Sequence, residues 1–175
     1  MNLFLIIHVA ISLVGIVFGL IVLSGMLAGK RLNGLTLLFL TTTVATSLTG
    51  FLLPLNGFTP AVGVAILSLL VLALAGLARY TYNLQGAWRP AYVLGATLAL
   101  YFNVFVLVVQ LFQKVASLKT LAPTQSEPPF LIAQAATLAL FVVLGIAALL
   151  RFHPESMLRV RAMESTNRKT HGASG

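Results

Sequence analysis

Cysteine is absent from the chain, which excludes disulfides, iron–sulfur clusters, thiolate zinc sites and cysteine nucleophilic catalysis at once. Acidic residues are nearly absent as well, the three being Glu127, Glu155 and Glu164. None of them falls inside an apolar run, so the chain has no intramembrane carboxylate for a proton relay and no carboxylate pair for acid–base work. His-rich metal spacings and glycine-rich phosphate loops are also missing. Charged residues of either sign make up only 8% of the 175. A soluble globule could not cover itself with so few charges, whereas a protein whose surface is solvated by lipid tails can.

What fills the chain instead is apolar sequence, 59% of all residues. Spanning the hydrocarbon core takes about 20 apolar residues at about 1.5 Å each. Five uncharged runs are long enough: Asn2 to Gly29, Leu35 to Leu55, Pro60 to Ala78, Ala91 to Gln113 and Phe130 to Leu150. The first lacks a basic leader and exceeds a signal-peptide core, so it reads as a retained helix. The connections GKRLN, NGFT and RYTYNLQGAWRP are short, which forces antiparallel neighbours. The expected fold is therefore all-α, a polytopic up-and-down bundle of five transmembrane helices over residues 1–151, with a basic tail at 152–175. In that tail HPESMLRVRAME suits a short interfacial helix and STNRKTHGASG reads as disordered. No internal repeat is visible.

Basic residues set the orientation. Lys30, Arg31, Arg79, Arg89, Arg151, Arg159, Arg161, Arg168 and Lys169 fall on one side, and only Lys114 and Lys119 on the other. The first side is expected to be cytoplasmic, which puts the N-terminus outside and the C-terminus inside. A net charge of +8 distributed in this way points to the bilayer and its anionic lipid headgroups at the cytoplasmic face, and away from nucleic acid. Tyr82, Trp88 and Tyr92 gather at the third connection, as interfacial aromatics do.

Three helices carry polar residues in a pattern. His8, Ser12, Gly15 and Gly19 follow steps of four, three and four and share one face of the first helix. Gly15 and Gly19 form a GxxxG pair for close helix packing. In the fourth helix Tyr92, Ala96, Ala99, Asn103, Val106, Gln110 and Gln113 form a heptad-like seam. Amides on that seam should face protein or a watered cavity, because an unpartnered amide in hydrocarbon costs several kcal/mol. The second helix concentrates Thr41, Thr42, Thr43, Thr46, Ser47 and Thr49, whose hydroxyls are expected to bond back one turn or to line a polar cavity. Counting rise per residue places His8, Gln110, Gln113 and Gln134 at similar depth near the outer surface, with Asn103 beneath. The candidate ligand site is therefore His8, Ser12, Asn103, Gln110, Gln113 and Gln134. A bis-His haem within one chain is disfavoured, since His153 lies at the opposite end from His8 and His171 lies in the tail. The fourth connection, KVASLKTLAPTQSEPP, is either a tether or a lid in which Leu118, Leu121 and Ala122 dock above His8.

The stretches SLTGFLLP, YFNVFVLVVQLFQKV and LAPTQSEPPFLIAQ resemble a family of small bacterial inner-membrane proteins with five helices. The resemblance covers most of residues 1–153 and implies the fold and the membrane, with no activity attached. A looser likeness, a helix-one His before a short basic loop, is to haem- or quinone-associated proteins, though this chain lacks a second His in helix two. Three functions follow as expectations. The first is a non-enzymatic bundle that binds another membrane component or a small apolar molecule at the polar cluster, with a homodimer or other membrane protein as partner. The second is a redox subunit holding quinone, or sharing haem, through His8, and the third is a small-solute permease.

Overall fold

A computed structural model describes residues 3–52 and 60–153. The tail beyond His153, including the expected interfacial helix, lies outside the described residues, as does the end of the second expected span. All regular structure among the described residues is helical. The helices are α1 (Leu3–Leu27), α2 (Asn33–Phe51), α3 (Pro60–Gly76), α4 (Trp88–Lys114), α5 (Ala116–Leu121) and α6 (Pro128–Arg151), and a π turn over Leu77–Thr81 prolongs α3. All of them except α5 belong to spans long and apolar enough to cross a membrane, five in total.

Boundaries differ from the sequence reading where backbone hydrogen bonding, not hydropathy, decides them. Pro128 and Pro129 lie inside the first turn of α6 instead of preceding it, because first-turn N–H groups need no helical partner and proline there loses nothing. Pro90 sits in the first turn of α4 for the same reason. The π turn carries α3 past Ala78 and turns Arg79 inward, and Leu84 N then bonds Ala78 O at 2.9 Å. The segment ASLKTL, read as loop, is helical. It contains no Gly or Pro, and it stops before Pro123, which cannot continue a helix.

The centre of the bundle is α4, which packs against α1, α2, α3 and α6 and is the most buried of the five spans, with α6 the least. Its seam explains this. Tyr92, Ala96, Ala99 and Asn103 are all buried, and Val106 is half-buried. Beyond that point the seam opens, and Gln110 and Gln113 are exposed. Small residues set the helix spacings. A Cβ on Gly19 would lie 2.5 Å from Leu100 Cδ1 and 2.8 Å from the Phe39 ring, and one on Gly95 would lie 2.8 Å from the carbonyl oxygen of Val71. The glycine face of α1 therefore meets α2 and α4 at van der Waals distance, as the GxxxG spacing suggested.

The apolar core occupies the half of the bundle that carries Arg31, Arg79 and Arg89, the basic end. Val22, Leu23 and Met26 of α1 meet Phe39 and Leu40 of α2, Leu72 and Ala75 of α3, and Val93 and Leu100 of α4. At the other end the same four helices present polar side chains to one another.

Candidate ligand-binding cavity

A cavity of about 140 Å³ opens between α1, α2, α3 and α4 at the end away from Arg31, Arg79 and Arg89. His8 and Ser12 come from α1, Thr46, Ser47, Gly50 and Phe51 from α2, Val62, Val64, Ala65 and Ser68 from α3, and Phe102, Asn103, Val106 and Gln110 from α4. The cavity lies where the seam of α4 stops being covered.

The threonine-rich turns of α2 solve their own hydrogen bonding. Thr41, Thr42, Thr46 and Thr49 each donate to the carbonyl four residues earlier, at 2.6 to 2.9 Å. This back-bonding has a consequence for His8, whose Nδ1 lies 2.8 Å from Thr49 Oγ1. The one hydroxyl proton of Thr49 is committed to Ala45 O at 2.7 Å. His8 Nδ1 must then be the donor, which assigns the tautomer and leaves Nε2 as an acceptor with no protein partner among the described residues. Asn103 donates Nδ2 to Thr43 Oγ1 at 3.3 Å, the interhelical bond that a buried amide on this seam requires.

Ser68 is the residue that the sequence reading missed. It is 3% exposed, borders the cavity, and its Oγ has no hydrogen-bond partner. Most buried hydroxyls in folded proteins are satisfied; Thr97 Oγ1 on α4 is the other buried hydroxyl without a partner among the described residues, and it borders neither this cavity nor the one beside it. Its signal in the sequence is weak: a single serine in the apolar run VAILSLLVL.

Of the six candidate site residues, four come together, since His8, Ser12, Asn103 and Gln110 all border the cavity. Two do not. Gln113 reaches Gln125 Oε1 at 3.4 Å above the cavity. Gln134 donates to Phe105 O at 3.3 Å, on the α6 side of α4, and it lines neither cavity described here. His8 and Gln110 share the cavity without bonding each other, and Thr49 holds the imidazole through Nδ1.

A second cavity, about 220 Å³, adjoins the first along the α1–α4 seam. The two share His8, Ser12, Val106 and Gln110. The rest of its wall is apolar, from Leu5, Val9 and Leu13 on α1 and Leu107, Leu111 and Val115 on or beside α4, with Lys114 at the rim. Val9, Leu13 and Leu111 are exposed on the bundle surface, so this groove faces whatever surrounds the helices. No residue of α5 borders either cavity. Ala122 is buried, Leu118 half-buried and Leu121 exposed, and Gln125 Nε2 is tied to Val109 O at 3.1 Å. Of the fourth connection, only Lys114 and Val115 border the groove that His8 also lines, and α5 packs against α4.

Together these features describe a multi-pass helical membrane protein with a largely apolar cavity near one end, into which a few polar side chains converge, and an apolar groove beside it. No family model, no curated protein and no solved structure matches the chain, so the chemistry of the cavity carries the functional argument.

Proposed function

We propose that this chain is a multi-pass protein of a bacterial inner membrane, N-terminus outside and C-terminus in the cytoplasm, that binds a small membrane-borne molecule without transforming it. The ligand has a ring-sized head that forms hydrogen bonds and an apolar chain. The observation that carries this reading is the unpartnered Oγ of buried Ser68 in a cavity that also holds the free acceptor of His8. Such a hydroxyl costs about 1–3 kcal/mol while it stays unmade, and a ligand head supplies the missing partner. The volume supports a small head, because a cavity of roughly 150 Å³ is known to hold one benzene-sized molecule. The groove between α1 and α4 supports the chain, since its apolar wall suits a tail that enters sideways from the bilayer.

His8 as acceptor and Gln110 as donor or acceptor suit a hydroxylated ring, and a quinol is the membrane molecule with that chemistry. This favours the quinone branch of the redox reading over the haem branch, because a porphyrin is far larger than the cavity. A permease is less well supported, since the apolar core at the basic end blocks a polar path. Orientation rests on the nine-to-two distribution of Lys and Arg, which also makes anionic headgroups the partner of the basic end.

The test is binding of a benzoquinol with a short alkyl chain to the purified full-length protein, read as a rise in thermal midpoint. The expected result is a rise in the wild type that is lost in Ser68→Leu, which fills the cavity, and in His8→Phe, which removes the acceptor. Equal rises in all three proteins would show that the quinol binds elsewhere. A Soret band in the purified protein would transfer the case to haem.

A further inference from the structure

The arginines at the basic end do not all serve the same purpose. Arg89 donates Nη1 to the carbonyls of Leu149 and Phe152 at 3.1 and 2.6 Å, so its charge meets the negative end of the α6 dipole. Arg151 is exposed. Arg79 differs from both. It is 4% exposed, it lies in the π turn, and among the described residues its guanidinium hydrogen-bonds only to Asn33 Oδ1, at 2.7 Å. The guanidinium carbon is 5.0 Å from the ring centroid of Tyr92 and 6.0 Å from that of Tyr80. Aromatic faces and a neutral amide hold a cation in place, but they do not neutralise it.

A second guanidinium stands at the same corner. Arg31 is two residues before Asn33, the residue that holds Arg79, and its buried Nε has no partner. No carboxylate balances them among the described residues. Glu127 begins α6 at the far end, and Glu155 and Glu164 lie beyond the described residues. A buried cation without a counter-charge is strongly disfavoured, so the arrangement calls for an anion.

We propose that Arg79 and Arg31, braced by Asn33, bind the phosphate of an anionic lipid headgroup at the junction of the α1–α2 turn and the π turn. Two guanidiniums, with the Nε of Arg31 unpartnered, suit the several oxygens of a phosphate. The uncapped start of α2, where Leu32 offers no capping side chain, adds the positive end of a helix dipole beside them. The depth identifies a lipid, not dissolved phosphate, as the source. Tyr82 and Trp88 stack at 3.8 Å at this end of the bundle, and such rings sit at headgroup level. This site is independent of the quinol cavity, which lies at the other end.

Full-length protein in detergent is titrated with phosphatidylglycerol, with phosphatidylcholine and with inorganic phosphate, and bound lipid is counted by native mass spectrometry. The wild type is expected to retain phosphatidylglycerol in preference to phosphatidylcholine, with inorganic phosphate displacing little of it. Arg31→Gln, at a half-buried position that tolerates change better than Arg79, is expected to weaken phosphatidylglycerol about ten-fold, the worth of one charge-assisted bond. Arg151→Gln removes the same charge from the same end and is expected to leave binding unchanged. Equal losses in the two variants would reduce the effect to general attraction of a basic surface and overturn the site. Full displacement by inorganic phosphate would overturn the lipid as its source. A third arm uses Glu155→Gln/Glu164→Gln. If that double variant is destabilised as much as Arg79→Gln, the counter-charge is the chain's own and the proposal fails.

Discussion

A single hydroxyl separates this cavity from an ordinary packing defect. Ser68 is 3% exposed, yet its Oγ has no hydrogen-bond partner among the described residues. In the ligand-free protein Ser68→Ala is therefore expected to raise stability by about 1 kcal/mol, because it removes an unpaired buried oxygen at small cost in packing. Denaturant or thermal unfolding in detergent measures this, and a clear destabilisation would mean that the hydroxyl already has a partner. Glycines give a sharper contrast at the same scale. Gly19→Ala drives a methyl into Leu100 and the Phe39 ring, while Gly34→Ala meets nothing within 4 Å. The first is expected to cost about 1–3 kcal/mol by overpacking, and the second to gain about 0.5–1 kcal/mol because alanine favours helix over glycine. Equal effects of the two would contradict the close approach of α1 to α2 and α4.

Among the elements, the turn between α5 and α6 is the one whose stability should follow pH. Desolvation raises the pKa of Glu127, but hydrogen bonds from the Thr124 hydroxyl and from the backbone of Thr124 and Ser126 together outweigh it, and the carboxyl is held below its ordinary value. The support this gives the turn is complete above the usual glutamate range, near pH 4.3, and it is lost as pH falls through the depressed value in the folded protein. Amide exchange at Thr124 and Ser126 is expected to accelerate over that interval and to be already fast at neutral pH in Glu127→Gln. Most of the elements were legible from the sequence because the cost of burying charge in lipid leaves long uncharged runs. The short α5 was not legible, since six polar and apolar residues in a connection carry no usable period. The site was half legible, and the reason is geometric. Depth follows from counting residues along a helix, which placed His8, Gln110 and Gln134 at one level. Rotation about the helix depends on where the neighbours stand, which counting does not give, and Gln134 turned to the far side of α4. Ser68 escaped because a lone hydroxyl has no periodic companions.

At the scale of the whole molecule, the arginines of the described residues and the two cavities fall at opposite ends. A reporter fused after Gly175 is expected to be active in the cytoplasm, and labelling of a cysteine introduced at Lys119 in the otherwise cysteine-free chain is expected from outside only. Labelling from the cytoplasmic side would invert the topology and put the cavity in the inner leaflet. The bundle is also uneven in a way that concerns time as much as space. Every residue that lines the two cavities precedes Ala116 in the chain, and α6 contributes none. Synthesis runs from the N-terminus, so every residue that lines the two cavities has been made before α6. On the function proposed above, the ligand can then be captured from the bilayer by the growing chain, before α6 closes over the other face of α4 and Arg89 fastens its end.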